Sequence, residues 1–233
     1  MSIFAISDPH LSFDPRVEKP MDIFGGEWVG HTEKLNTSWR ETVKDNDTVI
    51  VAGDISWGLR LDEALADLNW IHDLPGKKIL FKGNHDLWWS SNKKLNALYD
   101  DMTFIQNGGC YMVDEDTYIA GTRGWITPGT DGFTEHDEKM YKRELLRLRM
   151  SIDEAKENGA KRIIGVLHYP PCDIKRGFSG FTDIFEEYGI KNVVYGHLHG
   201  ESAHRTRIEG EIRGVNYNLI SVDYTKGKLI EIK

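Results

Sequence analysis

The sequence has few cysteines and no long apolar run. Cys110 and Cys172 are its only cysteines, and they lie far apart without forming a Cys-x-x-Cys pair. This excludes a disulfide framework and a thiolate zinc site. No uncharged apolar stretch approaches the roughly 20 residues that span a bilayer, and the first residues show neither a basic leader nor a cleavage signature. We therefore expect a protein without a membrane span, located in the reducing cytoplasm.

An excess of positive charge is also missing. The formal net charge is −8 at pH 7, from 29 basic and 37 acidic residues. Proteins that bind nucleic acid through its phosphates need clustered lysine and arginine side chains, so this balance argues against a nucleic-acid partner. A small phosphorylated substrate is compatible with it, because bound metal cations would reverse the local charge.

Length and composition are those of an ordinary folded domain. With 233 residues, of which 39% are hydrophobic and 28% charged, the chain can bury a substantial core. No repeat, low-complexity tract or linker divides it. We therefore predict one domain over residues 1–233, with long surface loops near residues 12–30 and 122–137, where glycine, proline and threonine are frequent.

Five short apolar runs each lead into a polar segment, as buried strands do. These runs are residues 3–7, 48–52, 78–81, 162–167 and 192–195. Apolar residues at helical spacing predict helices between them, near residues 35–43, 61–71 and 145–152. From residue 208 onward, short β-like runs separated by glycine predict an antiparallel addition. The alternation predicts an α/β fold with a largely parallel sheet, in which ligands bind beyond the carboxyl ends of the strands.

Oxygen and nitrogen donors follow the predicted strands and form the main candidate site. All seven come just after a strand: Asp8, His10, Asp54, Asn84, His168, His197 and His199. Side chains at such strand ends converge in space, and a mixed set of carboxylate, amide and imidazole donors suits manganese, iron or zinc. Seven donors exceed what one tetrahedral ion needs, so we predict two ions that share a bridging carboxylate.

The motifs that carry these residues resemble, in type and order, those of the calcineurin-like metallophosphoesterases. They are Asp8-Pro9-His10, Gly53-Asp54, Gly83-Asn84-His85-Asp86, His168 and Gly196-His197-Leu198-His199. Gly-Asp alone carries almost no information, whereas five motifs in order over residues 8 to 199 are specific. The resemblance implies an α/β fold arranged as a four-layer α/β/β/α sandwich with two mixed β-sheets.

The resemblance also implies a role for each motif residue. Asp8, His10 and His199 would hold one ion, Asp54 would bridge, and Asn84, His168 and His197 would hold the other. His85 would face the substrate and protonate the leaving oxygen, with Asp86 as its orienting partner. Two divalent metal ions are implied, manganese first, with iron, zinc, cobalt or nickel as alternatives. The implied reaction is cleavage of a phosphomonoester or phosphodiester by attack of a metal-bridging hydroxide.

Aromatic and arginine side chains near the motifs are candidates for substrate binding. Trp57 closely follows Gly53-Asp54, and Arg123 and Trp125 lie in the irregular segment after residue 121. A tryptophan face stacks a nucleobase and an arginine fork binds phosphate, although core packing and solvation are equally ordinary roles for them. The four histidines outside the motifs are expected to face solvent or to cap elements: His31, His72, His136 and His204.

The substrate class is inferred from departures from the family pattern. Phosphoprotein phosphatases of the family carry an Asp-Arg-containing stretch after Gly-Asp and a glutamate at the end of the Gly-Asn-His motif. This chain has Ile55-Ser56 and Asp86 at those places, so a small molecule such as a nucleotide is the favoured substrate. A phosphoprotein phosphatase and a non-catalytic, metal-stabilised interaction scaffold stay open as alternatives, and the sequence does not decide the oligomeric state.

Overall fold

The computed structural model describes all 233 residues, Met1 to Lys233. Its strands are β1 (Ile3–Ile6), β2 (Thr48–Val51), β3 (Lys77–Phe81), β4 (Met102–Ile105), β5 (Cys110–Met112), β6 (Thr117–Thr122), β7 (Arg162–Leu167), β8 (Asn192–Tyr195), β9 (Gly210–Ile212), β10 (Val215–Leu219) and β11 (Ile230–Glu231). Its helices are α1 (His31–Thr42), α2 (Leu61–His72), α3 (Asn92–Leu95), α4 (Glu135–Glu157), α5 (Gly180–Glu187) and α6 (Gly200–His204), with 3-10 turns at Met21–Phe24 and Gly26–Trp28. None of the six helices has the length and apolar character needed to cross a bilayer.

The chain divides into two compact units. Unit 1 comprises residues 1–104 and 220–233, and unit 2 comprises residues 105–219. Each unit contains one β-sheet with its own helices, and both sheets mix parallel and antiparallel strands. The predicted α/β class with two mixed sheets is therefore confirmed. That the whole chain behaves as one domain stays a prediction.

The sheet of unit 1 has the strand order β11-β1-β2-β3-β4. Strands β1, β2 and β3 are parallel, and Ile6 lies opposite Val51, which lies opposite Leu80. β1 and β2 are buried along their whole length, which is why they read as continuous apolar runs without alternation. Because these three strands point the same way, the segments that follow them emerge at one edge of the sheet.

The sheet of unit 2 has the strand order β5-β6-β7-β8-β10-β9. The four central strands are parallel, while β5 and β9 pair antiparallel at the two edges. The carboxyl ends of β7 and β8 lead directly into His168 and into residues 196–199. Unit 2 therefore presents its polar motifs at one edge of its own sheet.

The C-terminal region is only partly the antiparallel addition that the sequence predicts. β9 pairs antiparallel with β10, and β11 pairs antiparallel with β1. β10, however, pairs in parallel with β8. The chain between β8 and β10 contains α6 and β9, and a connection of that length allows the chain to return in the same direction.

Candidate metal centre

Unit 1 brings three of the predicted ligands together. Asp8 and His10 follow β1, and their ligand atoms lie within 4.8 Å of each other. Asp54 follows β2, and its Oδ2 lies 3.7 Å from His10 Nε2. All three side chains are at most 3% exposed. Two carboxylates and an imidazole held this closely form a donor set of the kind that binds a divalent cation.

The backbone at these ligands adopts an unusual conformation. Asp8 (φ 60°), His10 (φ 44°) and Asp54 (φ 50°) are left-handed, as is His197 (φ 72°) of unit 2. Only eight residues other than glycine have a positive φ, and these four are half of them. The left-handed region costs a non-glycine residue about 1–2 kcal/mol, and such strain is characteristic of functional sites. The concentration of strain therefore coincides with the predicted ligands.

Gly83, after β3, allows an unusually close approach to Asp54. A Cβ on Gly83 would lie 2.1 Å from Asp54 Oδ1, so no larger residue fits there. The same carboxylate oxygen accepts a hydrogen bond of 2.8 Å from the backbone N–H of His85. Asn84, between these two residues, is partly exposed. The Gly-Asn-His motif thus fixes the orientation of Asp54 through the main chain.

Asp86 connects the segments that follow β2 and β3. Its side chain is fully buried, and burial raises the pKa of its carboxyl against hydrogen bonds that lower it. The carboxylate accepts four hydrogen bonds, from the backbone N–H groups of Ile55 (2.8 Å), Ser56 (3.3 Å) and Gly83 (2.7 Å) and from the indole N–H of Trp88 (3.0 Å). These contacts are those of a positioning residue.

His85 is exposed and lies in an aromatic group with His10 and Trp57. Its ring is 4.6 Å from the ring of Trp57 and 5.7 Å from that of His10. Trp57 stacks on His10 at 4.6 Å with an interplanar angle of 19°. The indole N–H of Trp57 donates to the sulfur of Met21, and Lys19 Nζ lies 4.8 Å above the ring. Trp57 is therefore fixed beside a predicted ligand and beside the predicted proton donor.

His31 is buried, and the expectation that it faces solvent or caps an element is wrong. It is 4% exposed. Its Nε2 lies 2.9 Å from the carbonyl oxygen of Pro9, and its Nδ1 lies 3.1 Å from that of Trp28. The ring of Trp28 in turn contacts that of His10 at 5.8 Å. The left-handed Gly30 (φ 61°) precedes α1 and lets the chain reverse, so His31 is carried inward against Pro9.

Unit 2 brings His168 and His197 together. His168 Nε2 lies 3.3 Å from His197 Nδ1. Two nitrogens about 2.1 Å from one tetrahedral ion would be separated by about 3.4 Å, so this pair fits a shared cation. The ring of Tyr169 lies 4.2 Å from that of His197 and supports it. His199, two residues later, occupies the position that precedes α6 and is partly exposed.

Arg123 and Trp125 lie beside these histidines in unit 2. The carbonyl oxygen of Arg123 accepts hydrogen bonds from the backbone N–H groups of His168 (3.1 Å) and Tyr169 (2.9 Å). The guanidinium of Arg123 lies 4.6 Å above the ring of Trp125, and burial lowers its pKa. The indole N–H of Trp125 donates to Asp137 over 3.0 Å. A substrate-binding role for these two side chains stays a prediction.

Sequence reasoning missed three supporting residues, each of which carries a recognisable signal. Tyr169 directly follows His168, and an aromatic residue beside a metal-binding imidazole is a candidate for packing against the site. Pro9 has no N–H, so its carbonyl is the only polar backbone group it offers to His31. Asp67 stands on the apolar face of α2 and is fully buried. A charged residue on such a face indicates a specific buried partner, which here is Ser56.

A comparison of the sequence with known families identifies the protein class. A sequence profile of the calcineurin-like phosphoesterases matches residues 1–201. The chain belongs to the calcineurin-like phosphoesterase family. It is therefore a metallophosphoesterase, a hydrolase that acts on phosphate ester bonds, and enzymes of this family use two divalent metal ions. The carboxylates, the amide and the imidazoles described above fit such ions.

Individual relatives of this phosphoesterase are distant. It is 21% identical over 212 residues to a probable cyclic nucleotide phosphodiesterase of Fibrobacter succinogenes, over 86% of this chain and 73% of that protein. It is 45% identical over 56 residues to the gene 66 protein of Mycobacterium phage L5, over 24% of this chain and 27% of that protein. These matches support the family and do not by themselves fix a substrate.

Solved structures share the fold of the phosphoesterase at low identity. The phosphopantetheinyl hydrolase of Mycobacterium tuberculosis has a TM-score of 0.58 at 16% identity, over 99% of this chain and 95% of that one. The protein TT1561 of Thermus thermophilus has a TM-score of 0.60 at 13% identity, over 99% of this chain and 97% of that one. At these identities the likeness concerns the fold alone.

Proposed function

We propose that this phosphoesterase hydrolyses a phosphomonoester or phosphodiester of a small molecule, with a nucleotide as the leading candidate. The observation that carries the proposal is the left-handed backbone at Asp8, His10, Asp54 and His197. Folding maintains such strain only where the surrounding structure requires the conformation. Here the strained residues are those whose side chains the family motifs assign to the metals.

The proposed ligand set follows the family motifs. Asp8, His10 and His199 would hold one ion, Asn84, His168 and His197 would hold the other, and Asp54 would be shared between them. The donors contain no thiolate, which favours manganese, with iron, zinc, cobalt or nickel as further occupants. When bound, the ions supply an activated water and neutralise charge on the phosphoryl oxygens.

The remaining chemistry belongs to side chains of unit 1. His85 is exposed beside His10 and Trp57, so its ring can donate a proton to the leaving oxygen of a bound ester. Asp86 fixes the backbone that carries His85 and does not itself contact the substrate, because four donors already occupy its carboxylate. Trp57 limits the position of the leaving group from one side.

Two further observations support a small substrate. The relative from Fibrobacter succinogenes is named as a probable cyclic nucleotide phosphodiesterase, which supports a nucleotide. The segment after Asp54 and the Asp86 that closes the Gly-Asn-His motif depart from the pattern of phosphoprotein phosphatases. A cytoplasmic location is proposed on the sequence alone.

The decisive experiment measures hydrolysis of p-nitrophenyl phosphate and bis-p-nitrophenyl phosphate by the manganese-loaded protein. We expect activity that the His197→Ala variant loses together with metal content. His72→Ala is the matched control, since His72 is an exposed histidine outside the motifs, and it should retain full activity. Preparations with full metal content and no activity above His197→Ala would favour the interaction scaffold.

The role of His85 is tested by leaving-group dependence. His85→Ala should lower kcat about 100-fold on an alkyl phosphate such as glycerol phosphate, and much less on p-nitrophenyl phosphate, whose leaving group needs no proton. Metal content, measured by elemental analysis, should stay unchanged. Equal losses on both esters would remove His85 as the proton donor.

A further inference from the structure

We propose that unit 2 contains a subsite for a second phosphoryl group of the substrate, formed by Arg123 and Arg143 beside Trp125. The inference rests on the proposed function and deepens it, because it makes the substrate a small molecule with two separate phosphate groups. The subsite follows from an excess of guanidinium groups around one buried carboxylate.

Glu144, on α4, is the buried carboxylate. It is 1% exposed and accepts hydrogen bonds from Thr122 Oγ1 and, over 2.7 Å, from Arg147 Nη1. Arg143 Nη2 lies 3.4 Å from the same Glu144 oxygen that binds Arg147. One negative charge is thus shared by two arginines, and the hydroxyl of Thr122 already occupies the other oxygen.

Arg123 places a third guanidinium near Glu144, and it has no carboxylate as an ion-pair partner. No carboxylate lies within ion-pair distance of it, and its neighbours include Glu144, Arg143 and Arg147. Nε of Arg143 is buried and has no hydrogen-bond partner. Partly burying a charged group without a partner is costly. In a chain of net charge −8, a local excess of guanidinium groups over carboxylates indicates a site for an anion.

The contacts of Trp125 select an anion over a nucleobase. The guanidinium of Arg123 lies over the indole ring and covers one face of it. The indole N–H is bound to Asp137, and Tyr169 packs near the ring at 5.6 Å. A guanidinium supported by an aromatic face keeps its N–H fork free in its own plane, which is the arrangement that binds phosphate oxygens.

The subsite adjoins a proposed metal ligand. Arg123 directly follows β6, and His168 directly follows β7, the neighbouring parallel strand. The backbone N–H of His168 donates to the carbonyl of Arg123 over 3.1 Å. Arg143 and Arg147 of α4 lie close enough to act electrostatically on the guanidinium of Arg123. An anion bound there lies to one side of His168. This place suits a second phosphate of the substrate, while the first phosphate is hydrolysed at the metals.

The kinetic test uses Arg123→Gln with an adenosine bisphosphate, adenosine monophosphate and p-nitrophenyl phosphate. We expect KM for the bisphosphate to rise about tenfold or more with little change in kcat, and this rise to exceed any change in KM for the other two substrates. Arg149→Gln is the matched control, because Arg149 lies on α4, as Arg143 does, but is paired with Glu187. An equal effect on all three substrates, or no effect on any, overturns the subsite.

A binding test on metal-free protein separates this inference from the proposed function. Calorimetric titration with inorganic pyrophosphate should give binding that Arg123→Gln and Arg143→Gln each weaken about tenfold, and that Arg149→Gln leaves unchanged. Failure of the native protein to hydrolyse p-nitrophenyl phosphate would refute the proposed function while this binding persisted. Pyrophosphate binding that is absent, or identical in all four proteins, refutes the subsite.

Discussion

The strand-end segments of unit 1 and unit 2 are held in different ways. In unit 1, main-chain hydrogen bonds fix Asp54 and Asp86, and three ligands have a left-handed backbone. In unit 2, ring contacts dominate, because Tyr169 packs against His197 and His197 meets His168 edge-on. Only His197 of the unit 2 ligands has a positive φ.

The difference indicates separate tasks for the two sets of residues. Carboxylates bound by main-chain N–H groups keep their geometry when no metal is bound, because those donors have no side-chain rotation of their own. Groups fixed through ring packing adjust more easily, since aromatic contacts have broad energy minima. We therefore expect substitutions of the residues that support the ligands in unit 1 to lower stability together with metal binding, and substitutions of the residues that support the ligands in unit 2 to alter metal affinity by smaller amounts.

The largest losses of stability are expected from substituting two glycines that have equally close neighbours. A Cβ would lie 2.1 Å from Asp54 Oδ1 at Gly83 and 2.1 Å from the carbonyl oxygen of Val166 at Gly121. Gly83→Ala and Gly121→Ala should each lower the free energy of unfolding by about 3 kcal/mol, measured by urea denaturation of metal-free protein. Gly109→Ala is the control, since its Cβ would meet only Ile105 at 3.8 Å.

Metal content then distinguishes these two glycine variants. Gly83→Ala displaces a ligand carboxylate, so it should lose manganese even under conditions where the protein stays folded. Gly121→Ala disturbs only the β6–β7 pairing, so its folded fraction should bind manganese normally. Full manganese content in Gly83→Ala would contradict the central position of Asp54.

Asp86 and Glu144 are the buried acids to compare next. Asp86→Ala leaves four donors without an acceptor, three of them on the main chain, and should cost roughly 3 kcal/mol. Glu144→Ala leaves only the hydroxyl of Thr122 buried without its acceptor, because Arg147, at 27% exposed, can reach solvent, so it should cost roughly half as much. Urea unfolding measures both, and a larger loss for Glu144→Ala would reverse the contrast.

Asp67 makes the stability of unit 1 depend on pH. Burial raises the pKa of Asp67 from 3.8 to about 6. Its contribution to stability is therefore fully present below pH 3.8 and is lost as the pH rises through about 6, by up to about 3 kcal/mol. Asp67→Asn should remove this loss, and Asp45→Asn, at an exposed site, should not. If the unfolding free energy of Asp67→Asn fell between pH 4 and pH 7 as much as that of the native protein, the assignment of this pH dependence to Asp67 would be contradicted.

The smallest effect is expected at Tyr169. Tyr169→Leu removes the ring beside His197 and should weaken metal affinity about tenfold, as loss of a supporting contact commonly does. Tyr169→Phe keeps the ring and should bind metal like the native protein. Competition with a calibrated chelator measures both affinities. A loss of metal affinity greater than that of Gly83→Ala would show that unit 2 dominates the site.

The sequence predicts those parts of the fold whose patterns are local. The five predicted strands correspond to β1, β2, β3, β7 and β8, and the three predicted helices to α1, α2 and α4. The parallel pairing of β10 with β8 could not be predicted, because strand direction depends on the path of the connection and not on composition.

The sequence predicts the ligands of the candidate site better than it predicts the residues that hold those ligands in place. Ligand types can be read from ordered motifs because the chemistry admits few residue types. Some supporting residues act through packing and hydrogen bonds to residues distant in the sequence, so the local sequence does not identify their partners. They are His31, Tyr169 and Asp67. The left-handed backbone at Asp8 and His10 is likewise a product of the folded structure, since both residue types adopt other conformations freely.

The last strand completes a sheet that begins with the first. β11 pairs with β1, and residues 220–233 belong to unit 1, so all of unit 2 is synthesised before the unit 1 sheet has its full set of strands. On the ribosome, the segment with Asp8, Asp54 and Asn84 lacks the pairing of β11 with β1 while unit 2 emerges. A nascent chain stalled before residue 220 should therefore be more sensitive to protease in residues 1–104 than the released protein.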